Sequence, residues 1–279
     1  MTSVSPRNPP AVNVVGLFQP DRDALLTLLS TLAADEWDRP TVCASWDVHD
    51  IALHLLGGDL SKIARLRDGH DVGTPRTGET LPQFLNRWNE QWIEATRRLS
   101  PKLTTELLAS SGRVLFPALE ALPPHTLGER VSWAGPTPAP NWLDVAREYM
   151  ERWIHQQQIR DAVRRPGQRE SRFAAPVIAA SMRALPIALA TVRRQVGATL
   201  CVAVTGDAGG TWTAMRDADA WTLFVGQPEQ CDATLRIHCE DWWRIVTLGI
   251  TPDEAAARSE VSGDPELARA GLGAVAIIA

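Results

Sequence analysis

The sequence predicts an α+β protein in two parts, an all-helical bundle followed by a small α+β domain with an antiparallel sheet. Three observations carry this. Apolar residues recur at three- and four-residue steps in segments that precede residue 165. Short runs of strand-forming residues, separated by turn residues, follow after residue 198. Between the two regions Arg165-Pro166-Gly167-Gln168 stops a helix and marks the domain boundary, which gives domains 1–166 and 167–279. A length of 279 residues with 44% hydrophobic residues is enough to fill two modest cores.

The elements follow in order. From Asp21 to Asp35, Leu25, Leu26, Leu28, Leu29 and Leu32 repeat with helical spacing, and Pro20 precedes the first turn. Glu36 to Thr41 reads as a break. Asp47 is placed to cap the next helix, with Asp50 in its first turn, where negative charge is favourable. That helix runs to about Arg67 and is apolar on several sides (Val48, Ile51, Leu53, Leu56, Ile63), as expected of a central helix. A polar loop from Asp68 to Gly78 leads to a helix over Leu81–Leu99 that carries Trp88 and Trp92 one turn apart. Six prolines between Pro117 and Pro140 predict a long irregular connection, a lid or pocket wall. The fourth helix runs from Asn141 to about Arg164. A helix over Phe173–Val192 opens the second half. Strands are predicted at Thr199–Thr205, Thr211–Met215, Trp221–Val225 and Thr234–His238, and helices at Asp241–Leu248 and Glu266–Ile278 close the chain. Spacing this short suits an antiparallel meander, because parallel strands need long crossovers.

Composition narrows the function. There are 28 basic and 33 acidic residues, for a net charge of -5, and the Arg pairs at 97–98, 164–165 and 193–194 are scattered, which argues against a nucleic-acid partner. No apolar run approaches the roughly 20 residues of a membrane helix, and Met1 to Val12 lacks the charged and apolar regions of a secretory signal. Cys43, Cys201, Cys231 and Cys239 include no C-x-x-C and suggest no disulfide framework. A soluble, reduced, cytoplasmic protein is expected. Eleven Trp against one Tyr are read mostly as core packing.

The chemistry-bearing residues are few. Glu151 and His155 lie one turn apart on one face of the fourth helix, where a carboxylate and an imidazole can share a metal ion or simply pair on the surface. His54 interrupts the most apolar helix. It is either a core histidine bonded to a carbonyl or to Asp50, or a third ligand facing the fourth helix; three protein ligands with an open position are the pattern of catalytic zinc sites. His70, His125 and His238 have no matching partner spacing. Gly206 to Gly210 lacks the following Lys-Ser/Thr and helix of a phosphate loop and reads as a hairpin turn.

Three segments together resemble the mycothiol-dependent maleylpyruvate isomerase family, within the wider group of DinB-like metalloenzymes. They are Trp37 to Leu55 (WDRPTVCASWDVHDIALHL), Glu151 to Ala162 (ERWIHQQQIRDA), and Val204 to Trp212 with Ser262 to Ala268 further on. The resemblance implies a DinB-like four-helix bundle, a sterol-carrier-like C-terminal domain, and a divalent metal, zinc above all, on His54, Glu151 and His155. It also implies mycothiol, an actinobacterial low-molecular-weight thiol, as cosubstrate, with a small electrophilic molecule as its partner. The expected activity is isomerisation of that molecule or transfer of the sulfur to it. The family commonly carries a different polar residue at His49, which is therefore read as a surface residue with a substrate contact left open. No catalytic or thiol-binding residue is assigned; Arg216, Arg236 and Arg244 are candidates for pairing a substrate carboxylate. Two alternatives stand beside this reading: a non-catalytic ligand-binding or regulatory protein that keeps the fold, and a metal-dependent hydrolase with Asp50 or Asp59 as base.

Overall fold

The structure is a computed structural model that describes residues 4–70, 73–135 and 138–276. The described residues divide into two compact units, residues 14–123 with 151–168, and residues 4–13 with 124–150 and 169–276.

The first unit is helical. Helix α1 (Phe18–Ser30) buries Leu25, Leu28 and Leu29, and a short α2 (Ala34–Trp37) forms where a break is expected. Helix α3 (Val48–Asp68) begins in a capping box: the Asp47 side chain accepts from the Asp50 amide at 2.8 Å and the Asp50 carboxylate accepts from the Asp47 amide at 3.4 Å. Helix α4 (Leu81–Thr96) starts with the same device, Thr80 with Gln83. Helix α5 (Pro101–Glu120) is an addition to the expected set, capped by Ser100 and with Pro at its first position. It runs through Pro117, whose missing amide leaves the Arg113 carbonyl without its helical partner. Burial of Leu115, Phe116 and Leu119 carries the helix past it, so the irregular connection starts only after residue 120. Helix α6 (Asn141–Val163) contributes its portion from Glu151 onward.

The core of this unit joins Leu25 and Leu29 of α1, Trp37 of α2, Val48, Ile51, Leu55 and Leu56 of α3, Leu108 of α5, and Ile159 and Val163 of α6. Trp92 of α4 donates its indole N–H to the Leu53 carbonyl at 2.8 Å. This approach depends on Gly57, because a Cβ there would lie 2.6 Å from the indole nitrogen.

The second unit holds a six-stranded sheet of β1 (Val4–Arg7), β2 (Thr199–Thr205), β3 (Gly210–Arg216), β4 (Trp221–Gln227), β5 (Ala233–His238) and β6 (Glu260–Gly263), in the order β1-β4-β3-β2-β5-β6. The four predicted strands are present to within two residues, but the sheet is mixed rather than antiparallel. Strand β2 pairs with β3 antiparallel and with β5 parallel, Leu200 opposite Ala233 and Thr205 opposite His238. The β3–β4 hairpin, residues 206–232, is itself the crossover that a parallel pair requires, so β5 lies beside β2 and not beside β4. The near-continuous burial of β2 follows from its central place.

A disulfide corrects the expectation of unpaired cysteines: Cys201 of β2 bonds Cys231, just ahead of β5, with Cα atoms 6.1 Å apart. The helix expected over Phe173–Val192 is broken into α7 (Ser171–Ser181), a 3-10 turn at Met182–Ala184 and α8 (Leu185–Ala188), since Pro186 cannot donate to the Met182 carbonyl. Helix α9 (Cys239–Ile245) overlaps the expected Asp241–Leu248 but starts two residues and ends three residues earlier, and α10 (Pro252–Ala257) is additional. Helix α11 (Pro265–Gly271) is shorter than expected, and Ile277 and Ile278 lie outside the described residues. Among the described residues no helix is long and apolar enough to cross a membrane.

Candidate metal centre

His54 projects from the middle of α3 and Glu151 and His155 from successive turns of α6; their side chains are 12%, 24% and 2% exposed. A buried ion pair joins the two helices beside these residues. Arg152, next to Glu151, donates to Asp59, five residues beyond His54, at 2.8 Å in the interior. The Asp59 carboxylate also accepts from Arg22 of α1 at 2.9 Å and from Ser111 of α5 at 2.6 Å, so all four helices meet at one buried anion.

With that alignment both imidazoles converge on one carboxylate oxygen. Nε2 of His54 lies 3.0 Å, and Nε2 of His155 3.1 Å, from Oε1 of Glu151. One ligand atom from each residue lies within 4.8 Å of the others. Four ligands placed tetrahedrally at about 2.0–2.1 Å from an ion are about 3.3 Å apart, so the two imidazole–carboxylate distances stand within a few tenths of an ångström of a coordination edge. Two imidazole nitrogens and a carboxylate oxygen are also the donor chemistry of a catalytic zinc site with three protein ligands.

The electrostatics divide the two histidines. Burial pushes His54 toward its neutral form, against the opposing pull of Glu151. Burial also opposes charge on His155, but its contacts with Cys43 and Glu151 outweigh this and carry it up to about 10. Glu151, despite its burial, is held well below the usual carboxylate range by the bonds from His155 and His54. The ion-free cluster therefore keeps a proton on His155 beside an ionised Glu151, and a divalent cation would displace that proton.

Other groups around the cluster escaped the sequence reading. The Gln158 amide oxygen accepts from Nδ1 of His155 at 2.7 Å and from the Cys43 thiol at 3.3 Å. The Trp46 ring tilts over His54, centroids 4.8 Å apart, and its N–H is held by Glu90 at 2.8 Å. The available signal was position: Gln158 stands three residues after His155, and Trp46 immediately precedes the α3 cap.

The remaining candidates are engaged elsewhere. His49 is half-buried, 3.2 Å from the Thr104 hydroxyl and edge-on to Trp37. His70 and His125 are exposed. His238 caps α9 by accepting from the Glu240 amide, and Gly206 to Gly210 form the β2–β3 turn. Asp50 is paired with Arg97 at 2.8 Å and Asp59 with two arginines, so neither is placed as a free base. In the second unit Arg244 pairs with Glu240 and lies over Trp243, Arg236 pairs with Glu260, and Arg216 donates to the Ala218 carbonyl.

Comparison with known proteins places this geometry in context. A search of curated proteins found no match. Among solved structures, that of a histidine-to-alanine mutant of the mycothiol-dependent maleylpyruvate isomerase is similar at a TM-score of 0.53 and 10% identity, over 91% of this chain and 93% of that one. The structure of the mycothiol-dependent maleylpyruvate isomerase itself is similar at a TM-score of 0.51 and 12% identity, over 85% of this chain and 88% of that one. At such identity these likenesses speak for the fold, which is the α+β arrangement predicted from sequence. The family model described as the mycothiol maleylpyruvate isomerase N-terminal domain matches residues 18–160, which include His54, Glu151 and His155. By that match over half its length, the chain belongs to the mycothiol maleylpyruvate isomerase N-terminal domain family.

Proposed function

We propose that the protein is a divalent-metal-dependent enzyme that activates a low-molecular-weight thiol, mycothiol, for isomerisation of, or sulfur transfer to, a small electrophile of the maleylpyruvate kind. The observation that carries this reading is the convergence of His54 Nε2 and His155 Nε2 on Glu151 Oε1, at 3.0 and 3.1 Å, in a chain of this family. Zinc is the metal best suited to the donor set, and His54, Glu151 and His155 would hold it through three positions, leaving the fourth for substrate. A divalent ion there lowers the pKa of a thiol so that it reacts as the thiolate at neutral pH.

The chain's own residues set the conditions for that chemistry. Glu151 supplies the anionic donor and remains ionised. His54 is already neutral, and His155 gives up its proton on loading. Trp46, tilted over the His54 ring, shields that flank from water. A thiolate sulfur bonding to one carbon of a cis double bond conjugated to a carbonyl moves the π pair onto the carbonyl oxygen and leaves a single bond that rotates; return of that pair re-forms the double bond in trans and expels the thiolate. The same first bond, formed with loss of a leaving group, gives transfer.

Elemental analysis of protein purified without added metal, with His155→Ala beside it, tests the site. About one divalent ion per wild-type chain, lost in the variant, is the expected outcome. Turnover of maleylpyruvate is then compared with and without mycothiol. A wild type that binds no zinc, or loaded protein with no thiol-dependent turnover of any electrophile offered, overturns the proposal.

A further inference from the structure

With His54, Glu151 and His155 as ligands, the His155 ring must be held with Nε2 toward the ion. An imidazole that offers Nε2 to a cation carries its proton on Nδ1, and in the interior that proton needs an acceptor. His155 is 2% exposed by side chain and Gln158 is itself 2% exposed, so water does not substitute readily. Nδ1 of His155 and Oε1 of Gln158 are 2.7 Å apart, short for a neutral N–H···O bond. The same oxygen faces the Cys43 sulfur at 3.3 Å. An amide oxygen between two donors satisfies both; the amide nitrogen in that place would turn a donor toward the Nδ1 proton.

We infer that Gln158 is a positioning residue for the metal centre: its side-chain oxygen fixes the tautomer and ring orientation of His155 so that Nε2 points at the ion. The inference rests on the metal-site reading above and adds a residue outside the ligand set. Helical geometry makes the arrangement compact, since residues three apart on α6 share a face and Gln158 reaches back one turn to the ring. Cys43 arrives from the loop ahead of α3, so the contact also ties that loop to α6. Partners of this kind, which hydrogen-bond the far nitrogen of a histidine ligand, are typically worth about 10–100-fold in metal affinity.

The test is zinc affinity by competition with a chromophoric chelator, for wild type, Gln158→Leu, Gln158→Glu and Cys43→Ala. Melting of the metal-free proteins serves as the folding control, with Gln158→Met in reserve should the Leu variant fail to fold. The expected result is a loss of about 10–100-fold in Gln158→Leu. Gln158→Glu, which keeps an acceptor, is expected to restore affinity. Cys43→Ala should stay close to wild type because the Nδ1–H···Oε1 bond survives. Cobalt-loaded samples give a second readout that a purely structural role would not move: the visible ligand-field bands shift in Gln158→Leu and return in Gln158→Glu. Equal affinity and identical cobalt spectra in wild type and Gln158→Leu overturn the inference while leaving the three ligands intact. A collapse of affinity in Cys43→Ala overturns it in another way, by making Cys43 a ligand. A wild type that takes up neither zinc nor cobalt refutes the metal-site reading, and the inference with it.

Discussion

Replacing Asp59 with alanine tests the reasoning that ties the bundle together. The Asp59 side chain is 0% exposed and those of Arg22 and Arg152 are 2% and 5% exposed. Its two oxygens accept from Arg22 Nη1 at 2.9 Å and Nη2 at 3.2 Å, from Arg152 Nη2 at 2.8 Å and Nε at 3.2 Å, and from Ser111 Oγ at 2.6 Å. Burial alone would raise its pKa, but the two guanidinium groups more than offset that and hold the carboxyl below its ordinary value. Asp59→Ala takes the shared anion from two buried cations, a change that costs about 3–5 kcal/mol. In a chain of this size that is a fall in melting temperature of roughly 6–20 °C. Urea unfolding at pH 7, followed by tryptophan fluorescence and circular dichroism, measures it. Because the folded pKa of Asp59 lies below the unfolded value, its contribution is present at neutral pH and is lost as the pH falls through the folded pKa; the gap between wild type and variant should narrow in acid. Replacing all three charges with apolar residues of similar size (Arg22→Met, Asp59→Leu, Arg152→Met) should cost much less than the single change, since no charge is then stranded. A loss under about 1 kcal/mol in Asp59→Ala, or a triple variant less stable than the single one, would refute the argument.

Other perturbations follow from the same geometry. Gly57→Ala would put a methyl group 2.6 Å from the Trp92 indole nitrogen and disturb its 2.8 Å bond to Leu53, for a loss of about 1–3 kcal/mol by urea unfolding; an unchanged midpoint contradicts the close approach. Converting Cys201 and Cys231 to serine opens a loop with a sequence separation of 30 and should cost about 3–4 kcal/mol by chain entropy, seen as a lower midpoint than that of the oxidised wild type. Asp21 supplies a pH effect of opposite sign to that of Asp59. Burial raises its pKa to about 7, against the pull of Arg22, Arg152 and Arg160. The native chain therefore keeps a proton that the unfolded chain releases near pH 4. Its contribution is full below that point and declines as the pH rises through about 7, by about 4 kcal/mol in all at roughly 1.4 kcal/mol per pH unit. Asp21→Asn, whose oxygen can still accept from Gln156, should be more stable than wild type at pH 8 and about equal at pH 4; parallel pH profiles for the two proteins contradict the assignment.

Local signals were legible in the sequence and long-range pairings were not. The Asp47–Asp50 cap and the turns around the four strands are written within a few residues, and the structure has them. Helix α5 carried a comparable mark in Ser100-Pro101, but its prolines at both ends drew attention to the connection instead. Nothing local tells that β5 returns to pair with β2, or that Cys201 meets Cys231, because both depend on where a whole hairpin lies. The candidate site occupied a middle ground. The Glu151–His155 spacing is local, whereas the approach of His54 to Glu151 spans 97 positions, and only the resemblance to a family linked them.

The physical basis of that approach lies in the composition of α6. Arg152, His155, Gln156, Gln157, Gln158 and Arg160 are all buried, so over this stretch the helix is enclosed on every side and much of what it buries is polar. An apolar stripe would tolerate small rotations about the helix axis, since hydrophobic contact has no direction. Here the buried side chains are held by directional bonds on different sides of the helix: Arg152 to Asp59 of α3, Gln156 to Asp21 of α1, Arg160 to the Ala24 carbonyl, and Gln157 to the Gly167 carbonyl. A few degrees of rotation would lengthen several of them at once, in an interior where an unmet polar group is costly. That cost fixes the rotation of α6 and with it the directions of Glu151 and His155. The buried polar residues, which would make a poor core if its only task were stability, are what a site needing placement to a few tenths of an ångström requires.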